Sequence, residues 1–146
     1  MATALEVKDL SVTFGRDRVL RNLTFAVEAG STLAIIGPNG SGKTTMCRAV
    51  LGTVDYEGEI RWAPDTTIGY VPQKLDIERD LPLTGLEFLN AKARVTRTPR
   101  DEIAGALDAV SLTPEIARRP IGTLSGGQFQ RLLVAFALMG RPTVLL

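Results

Sequence analysis

Two short stretches of this 146-residue chain concentrate residue types that can do chemistry. The first, GPNGSGKTT, runs Gly37, Pro38, Asn39, Gly40, Ser41, Gly42, Lys43, Thr44, Thr45 and fits the pattern G-x-x-x-x-G-K-[ST]. Its glycines let successive backbone N–H groups turn inward around a polyphosphate, and a helix starting behind them adds its positive end. Lys43 is placed to neutralise the β and γ phosphates, the Thr44 hydroxyl to reach Mg²⁺, and Thr45 to add a further hydroxyl bond to phosphate. The bland alternative is a glycine-rich turn with an incidental lysine. Context argues against it, because an apolar run precedes the loop and a helical pattern follows it.

The second stretch, LSGGQ, covers Leu124 to Gln128. Ser125 sits where a helix N-cap would fall and Gln128 follows three residues later, which forms a capping box. A cap accounts for Ser125 and Gln128 but not for Gly126 and Gly127, since glycine in a first helical turn costs about 1 kcal/mol relative to alanine. Bare backbone close to a ligand accounts for them, which makes this a second anion-binding device.

Several elements must position these stretches. Leu10, Val12 and Phe14 alternate in LEVKDLSVTFG, and Leu23, Phe25 and Val27 in NLTFAVEAG, so both predict half-buried strands. STLAIIG is a short continuous apolar run between Gly30 and Gly37, the pattern of a central parallel strand covered on both faces. GKTTMCRAVLG predicts a helix closing on Gly52, with Cys47 as a small buried residue on it. GEIRW and TTIGYVPQ predict two further strands, followed by a helix from Thr84 to about Val95. In TPRDEIAGALDAV, Thr98 reads as N-cap, Pro99 as first helical residue, and Ile103, Leu107 and Val110 as one apolar face. The last helix starts at LSGGQ, runs to about Met139 with Leu132, Leu133 and Phe136 apolar, and ends at Gly140 and Pro142. A new strand begins at Thr143 in RPTVLL.

The glycine loop, a lone glutamine after a strand in YVPQ and LSGGQ, in that order, resemble the nucleotide-binding subunit of an ATP-binding cassette (ABC) transporter. The resemblance covers essentially the whole chain. It implies an α/β fold, a P-loop NTPase with an ABC-type ATPase core, an N-terminal antiparallel β-subdomain and a helical subdomain over approximately residues 84–140. The whole is read as a single, partial ATP-binding domain over 1–146, incomplete at the C-terminus. By the same resemblance Gly37 to Thr45 is the Walker A loop that holds ATP with Mg²⁺. Ser125, Gly126, Gly127 and Gln128 form the signature that closes over a nucleotide held by a second ATP-binding subunit, which makes the functional unit a dimer. Phe14 serves two readings, the core end of an alternating strand or the ring that stacks on adenine. Gln73 likewise reads as a polar residue capping a strand or as the Q-loop glutamine near Mg²⁺, so the implied metal contacts are Thr44 and Gln73 and the implied catalytic residues Lys43, Gln73 and Ser125.

The stretch QKLDIERDLPLTGLEFL, which by resemblance docks membrane-embedded subunits, looks most like cassettes serving zinc, manganese or iron-complex uptake. The implied partners are a membrane-spanning permease, the second ATP-binding subunit and an extracytoplasmic solute-binding protein, with the chain at the cytoplasmic face of the membrane. In the family pattern the strand at Thr143 continues into a Walker B aspartate, a glutamate and later a switch histidine. The resemblance therefore implies an ATPase for the complete cassette and near-background turnover for these 146 residues alone.

Composition excludes other classes. Seventeen basic against 16 acidic residues, scattered, give a net charge of +1 and no footprint for a nucleic-acid backbone. The longest apolar stretch, Leu132 to Met139, is far short of the roughly 20 residues that cross a bilayer. MATALEVKDL carries charges where a signal peptide needs an apolar core, and a single cysteine makes no internal disulfide, so a reducing cytoplasmic setting is expected. With no histidine, acid–base or metal chemistry by that residue is absent from the chain. Two alternatives stand beside the transporter reading, a soluble ABC-type ATPase of DNA repair or translation and a non-catalytic fragment. The short interval between Lys43 and Ser125 leaves no room for the coiled coils or zinc modules of repair cassettes, and the chain lacks the basic linkers of translation cassettes.

Overall fold

The computed structural model describes residues 2–73, 75 and 81–146, which form two compact units, residues 1–66 and 67–146. Lys74 and residues 76–80 of QKLDIERDLPLTGLEFL lie outside the described residues.

The first unit is built on an antiparallel sheet of order β2-β1-β3, with β1 Thr3–Phe14, β2 Asp17–Glu28 and β3 Glu57–Trp62. Both alternating segments are strands, as their pattern predicts. The alternation slips once. Leu5 and Val7 are buried at odd positions and Leu10 and Val12 at even ones, because the pairing with β2 shifts register between Val7 and Leu10, where Asp9 takes a φ of 50°. An extra residue in one strand flips every side chain after it to the other face, and here it keeps the apolar set on one core. Gly58 accommodates the distortion: its φ is 99° and a Cβ there would meet the Asp9 carbonyl oxygen at 2.5 Å. Ser11, now on the opposite face yet buried, is satisfied by Asn22 N–H at 2.9 Å and Arg18 Nη2 at 2.8 Å. Helix α1, Lys43–Val50, adds Met46, Ala49 and Val50 to the buried residues, and the Trp62 indole N–H donates to the Val50 carbonyl at 3.1 Å.

The apolar run STLAIIG departs from expectation. Residues 31–38 have no regular secondary structure, Leu33 and Ile35 are exposed, and Ile36 is 93% exposed. A strand buried on both faces needs hydrogen-bonded neighbours on each side, and no strand among the described residues pairs with this segment.

The second unit packs helices α2 Gly85–Thr96, α3 Asp101–Ala109, α4 Pro114–Ala117 and α5 Gly126–Leu138 around Leu89, Ile103, Leu107, Leu132 and Ala135. A 3₁₀ turn at Ile121–Thr123 leads into α5. The short parallel pair β4 Ile68–Gly69 and β5 Val144–Leu145 completes it, extended by Leu146 N–H to Gly69 O at 2.8 Å and Val71 N–H to Leu146 O at 2.7 Å. Only two residues of TTIGYVPQ are therefore strand. Thr98 does not cap α3. That helix starts two residues later than expected, with Arg100 at the N-cap and no side-chain cap bond, while Thr98 Oγ1 bonds Thr96 Oγ1 at 2.6 Å. The apolar face of α3 is as expected, Ile103 and Leu107 buried and Val110 partly so.

Candidate functional site

In the first unit the glycine loop ends where α1 begins. Gly42 is the N-cap residue, with φ 91° and ψ 7°, and no side chain caps the helix. Its first turn carries no acidic residue. The first N–H groups of α1 are thus left for an outside acceptor, at the end of the helix where the dipole favours negative charge. Glycine at position 42 is required twice over. A Cβ there would take the left-handed conformation that side chains disfavour, and it would lie 2.7 Å from Leu20 Cδ2 and 3.3 Å from Val19 Cγ1. Strand β2 therefore presses against the loop through Val19 and Leu20, a contact that residue spacing alone does not reveal.

Lys43 Nζ donates to the Gly37 and Pro38 carbonyls, both at 2.8 Å. The loop is drawn around its own lysine, and three donors on one ammonium leave capacity for a further acceptor. Gly40 has a φ of 83°, and Ser41 N–H bonds the Pro38 carbonyl at 3.3 Å. Thr44 is exposed and Thr45 partly buried, each hydroxyl free of a bond to any other described residue. Asn39 lies in the exposed turn between them and Gly37. Cys47 is half-buried rather than buried, and burial raises its thiol pKa, which keeps it a thiol. Phe14 closes β1 opposite Asp17 in the hairpin with its ring 48% exposed, so it is not a core residue.

The second unit carries Gln73 and the LSGGQ stretch. Gln73 is exposed in a bend beyond β4. The capping box of α5 is present in full: Gln128 N–H donates to Ser125 Oγ at 3.2 Å, and Ser125 N–H to Gln128 Oε1 at 3.0 Å. Gly126 and Gly127 are exposed, neither has a positive φ, and a Cβ at either would meet nothing within 4 Å. Among the described residues no backbone or packing demand calls for glycine at either position, and their N–H groups stay uncapped at the helix start. Arg131, which sequence reasoning did not single out, braces this end by donating from Nη1 to the Ser111 carbonyl at 3.2 Å and from Nε to the Gly127 carbonyl at 3.4 Å. Its place one turn beyond the glycines was the available signal.

The arrangement fits a nucleotide triphosphate with Mg²⁺ in its donor chemistry: uncapped N–H groups, one lysine and free hydroxyls, with no acid in the first turn of α1 to repel phosphate. Among the described residues no cluster of three acidic, cysteine or histidine side chains is placed to hold a metal by itself.

A family model described as ABC transporter matches residues 20–146. The zinc import ATP-binding protein ZnuC of Jannaschia sp. (strain CCS1) is 43% identical over 143 residues, which is 97% of this chain and 57% of that protein. Its namesake from Cereibacter sphaeroides is 43% identical over 145 residues, 99% of this chain and 58% of that one. Among solved structures, the dimeric structure of MJ0796, a bacterial ABC transporter cassette, superposes with a TM-score of 0.81 at 25% identity, covering 97% of this chain and 72% of that chain. The chain thus spans just over half the length of the curated relatives it matches.

Proposed function

The chain belongs to the ABC transporter family, and from that premise we propose that it is the ATP-binding part of a subunit powering metal-ion uptake, zinc first, through a membrane permease. The observation that carries the ATP-binding step is the N-terminus of α1, uncapped behind a left-handed Gly42 and lacking any acid in its first turn. On this reading backbone N–H groups from Gly40 to Thr45 hold the β and γ phosphates, Lys43 neutralises them, and the Thr44 hydroxyl with Gln73 serves Mg²⁺. Phe14, half-exposed at the hairpin end, stacks on adenine. Phosphoryl transfer depends on positioning and electrostatic stabilisation more than on covalent chemistry, and these groups supply that part.

Gly126 and Gly127 support the second half of the proposal. Two glycines that the helix does not need leave a bare, open surface beside Ser125, suited to close approach of a nucleotide held by a second ATP-binding subunit. Residues 84–140 then act as the helical subdomain. The relatives' description as zinc import proteins favours the transporter over a soluble repair or translation ATPase. A permease, a second ATP-binding subunit and an extracytoplasmic binding protein are the partners of this reading, with the chain at the cytoplasmic face of the membrane.

Equilibrium titration with MgATP tests the site. Charge-assisted hydrogen bonds contribute about 1.5–3 kcal/mol each, so Lys43→Ala weakens binding at least about tenfold. Equal affinities for the two proteins would contradict the assignment.

A further inference from the structure

A cleft of about 370 Å³ in the second unit is lined by Glu87, Asn90, Ala91 and Arg94 of α2 and by Arg100 at the start of α3. On α2 these residues fall on one stripe, apart from the face that buries Leu89 and Ala93 and from Lys92, whose ammonium lies over the Phe136 ring at 4.4 Å. Neither Arg94 nor Arg100 makes an ion pair with any other described residue, whereas Arg18, Arg61 and Arg141 do. Glu87 commits Oε2 to the α2 cap, bonding Thr84 N–H at 2.8 Å and the Thr84 hydroxyl at 2.7 Å. Asn90 commits Nδ2 to the Leu86 carbonyl at 2.8 Å. Glu87 Oε1 and Asn90 Oδ1 have no partner among the described residues, so the cleft offers two guanidinium groups and two acceptors around the Ala91 methyl.

That mixture selects its occupant. A phosphate or phospholipid headgroup would bring its full negative charge onto the Glu87 carboxylate in the same cleft. A peptide can instead place one carboxylate across the guanidinium forks and its own N–H groups on Glu87 and Asn90. The cleft's own charges are complementary to an acidic side chain: Arg94 and Arg100 have no acid between them in the chain, and Val95, 85% exposed, adds an apolar contact. We infer that the cleft seats an acidic side chain, carried on a segment of a protein partner, between Arg94 and Arg100. The inference rests on the reading of the chain as a subunit that works with a protein partner, and it names that partner's chemistry at the contact.

Fluorescence anisotropy tests it with a labelled, end-blocked peptide rich in glutamate and held extended by a central proline, and with its glutamine counterpart as probes. The glutamate peptide binds, the glutamine peptide binds at least tenfold more weakly, and Arg94→Gln/Arg100→Gln weakens the glutamate peptide at least tenfold. Arg97→Gln, which removes a like charge outside the cleft, changes affinity less than twofold. Wild-type affinity in the double variant, or an equal loss with Arg97→Gln, overturns the inference. So does binding to phosphatidylserine vesicles, or to inorganic phosphate, with the same dependence on Arg94 and Arg100 and greater affinity than the peptide. MgATP binding is read in the same samples. A chain that takes the peptide but not ATP fails the proposed function and leaves the cleft standing; one that takes ATP without distinguishing the two peptides fails the cleft alone.

Discussion

Gly42 and Gly127 flank helix starts in different ways, and the difference can be measured. At Gly42 the backbone is left-handed and a Cβ would displace the Leu20 side chain, so Gly42→Ala costs about 1–2 kcal/mol, chiefly from the disfavoured backbone. At Gly127 a Cβ meets open space in a right-handed helical turn. Gly127→Ala therefore leaves the fold unharmed or stabilises it by up to about 1 kcal/mol. Urea unfolding of both variants checks the pair; a destabilised Gly127→Ala would mean that the glycine serves the fold and not a ligand. Lys43, Ser125 and Gln128 were legible in the sequence because their spacing states a local mechanism, a loop ending in a helix or a reciprocal cap. The Val19 and Leu20 contact with Gly42 was not legible, since nothing in the spacing of β2 tells which loop will lie against it.

Helix caps show which elements a sequence announces. Thr84 and Ser125 each stand three residues ahead of a Glu or Gln, and both boxes form. Thr98, with Asp101 three residues on, forms none, because Thr98 bonds the neighbouring Thr96 hydroxyl and α3 begins after Arg100. The α2 box makes a test. Thr84→Ala removes a cap worth about 1 kcal/mol, read as a lower midpoint in thermal unfolding. Glu87 accepts from the Thr84 N–H first and from its hydroxyl second, which lowers its carboxyl pKa below the ordinary value. A carboxylate with a lowered folded-state pKa stabilises the protein above its unfolded value, and that contribution is lost as pH falls through the folded value. The stability gap between wild type and Glu87→Gln therefore narrows as pH is taken below about 4. A gap that stays constant from pH 7 to pH 3 would show that the charge on Glu87 does not support the cap.

The whole molecule is where sequence reading fell short. STLAIIG carries the composition of a buried central strand, but a strand is defined by its partners, and residues 31–38 have none among the described residues. The β1 alternation is legible only in its second half, because the bulge at Asp9 hides the phase of Leu5 and Val7 until pairing with β2 is seen. At this scale the glycine loop and the LSGGQ stretch lie in separate compact units. In a complete cassette, Gly127→Asp leaves MgATP binding intact while abolishing ATP-driven dimerisation, through bulk and repulsion of phosphate; normal dimers of this variant in sizing chromatography would refute the role in trans. The central claim, that backbone N–H groups of the glycine loop and α1 hold the polyphosphate, is tested most directly by amide hydrogen exchange with and without MgATP. The account predicts slowed exchange across residues 37–46 in the wild type at an MgATP concentration near its Kd, and markedly less slowing in Lys43→Ala at the same concentration. ATP binding that leaves those amides unchanged, or that protects the loop equally in both proteins, would contradict it.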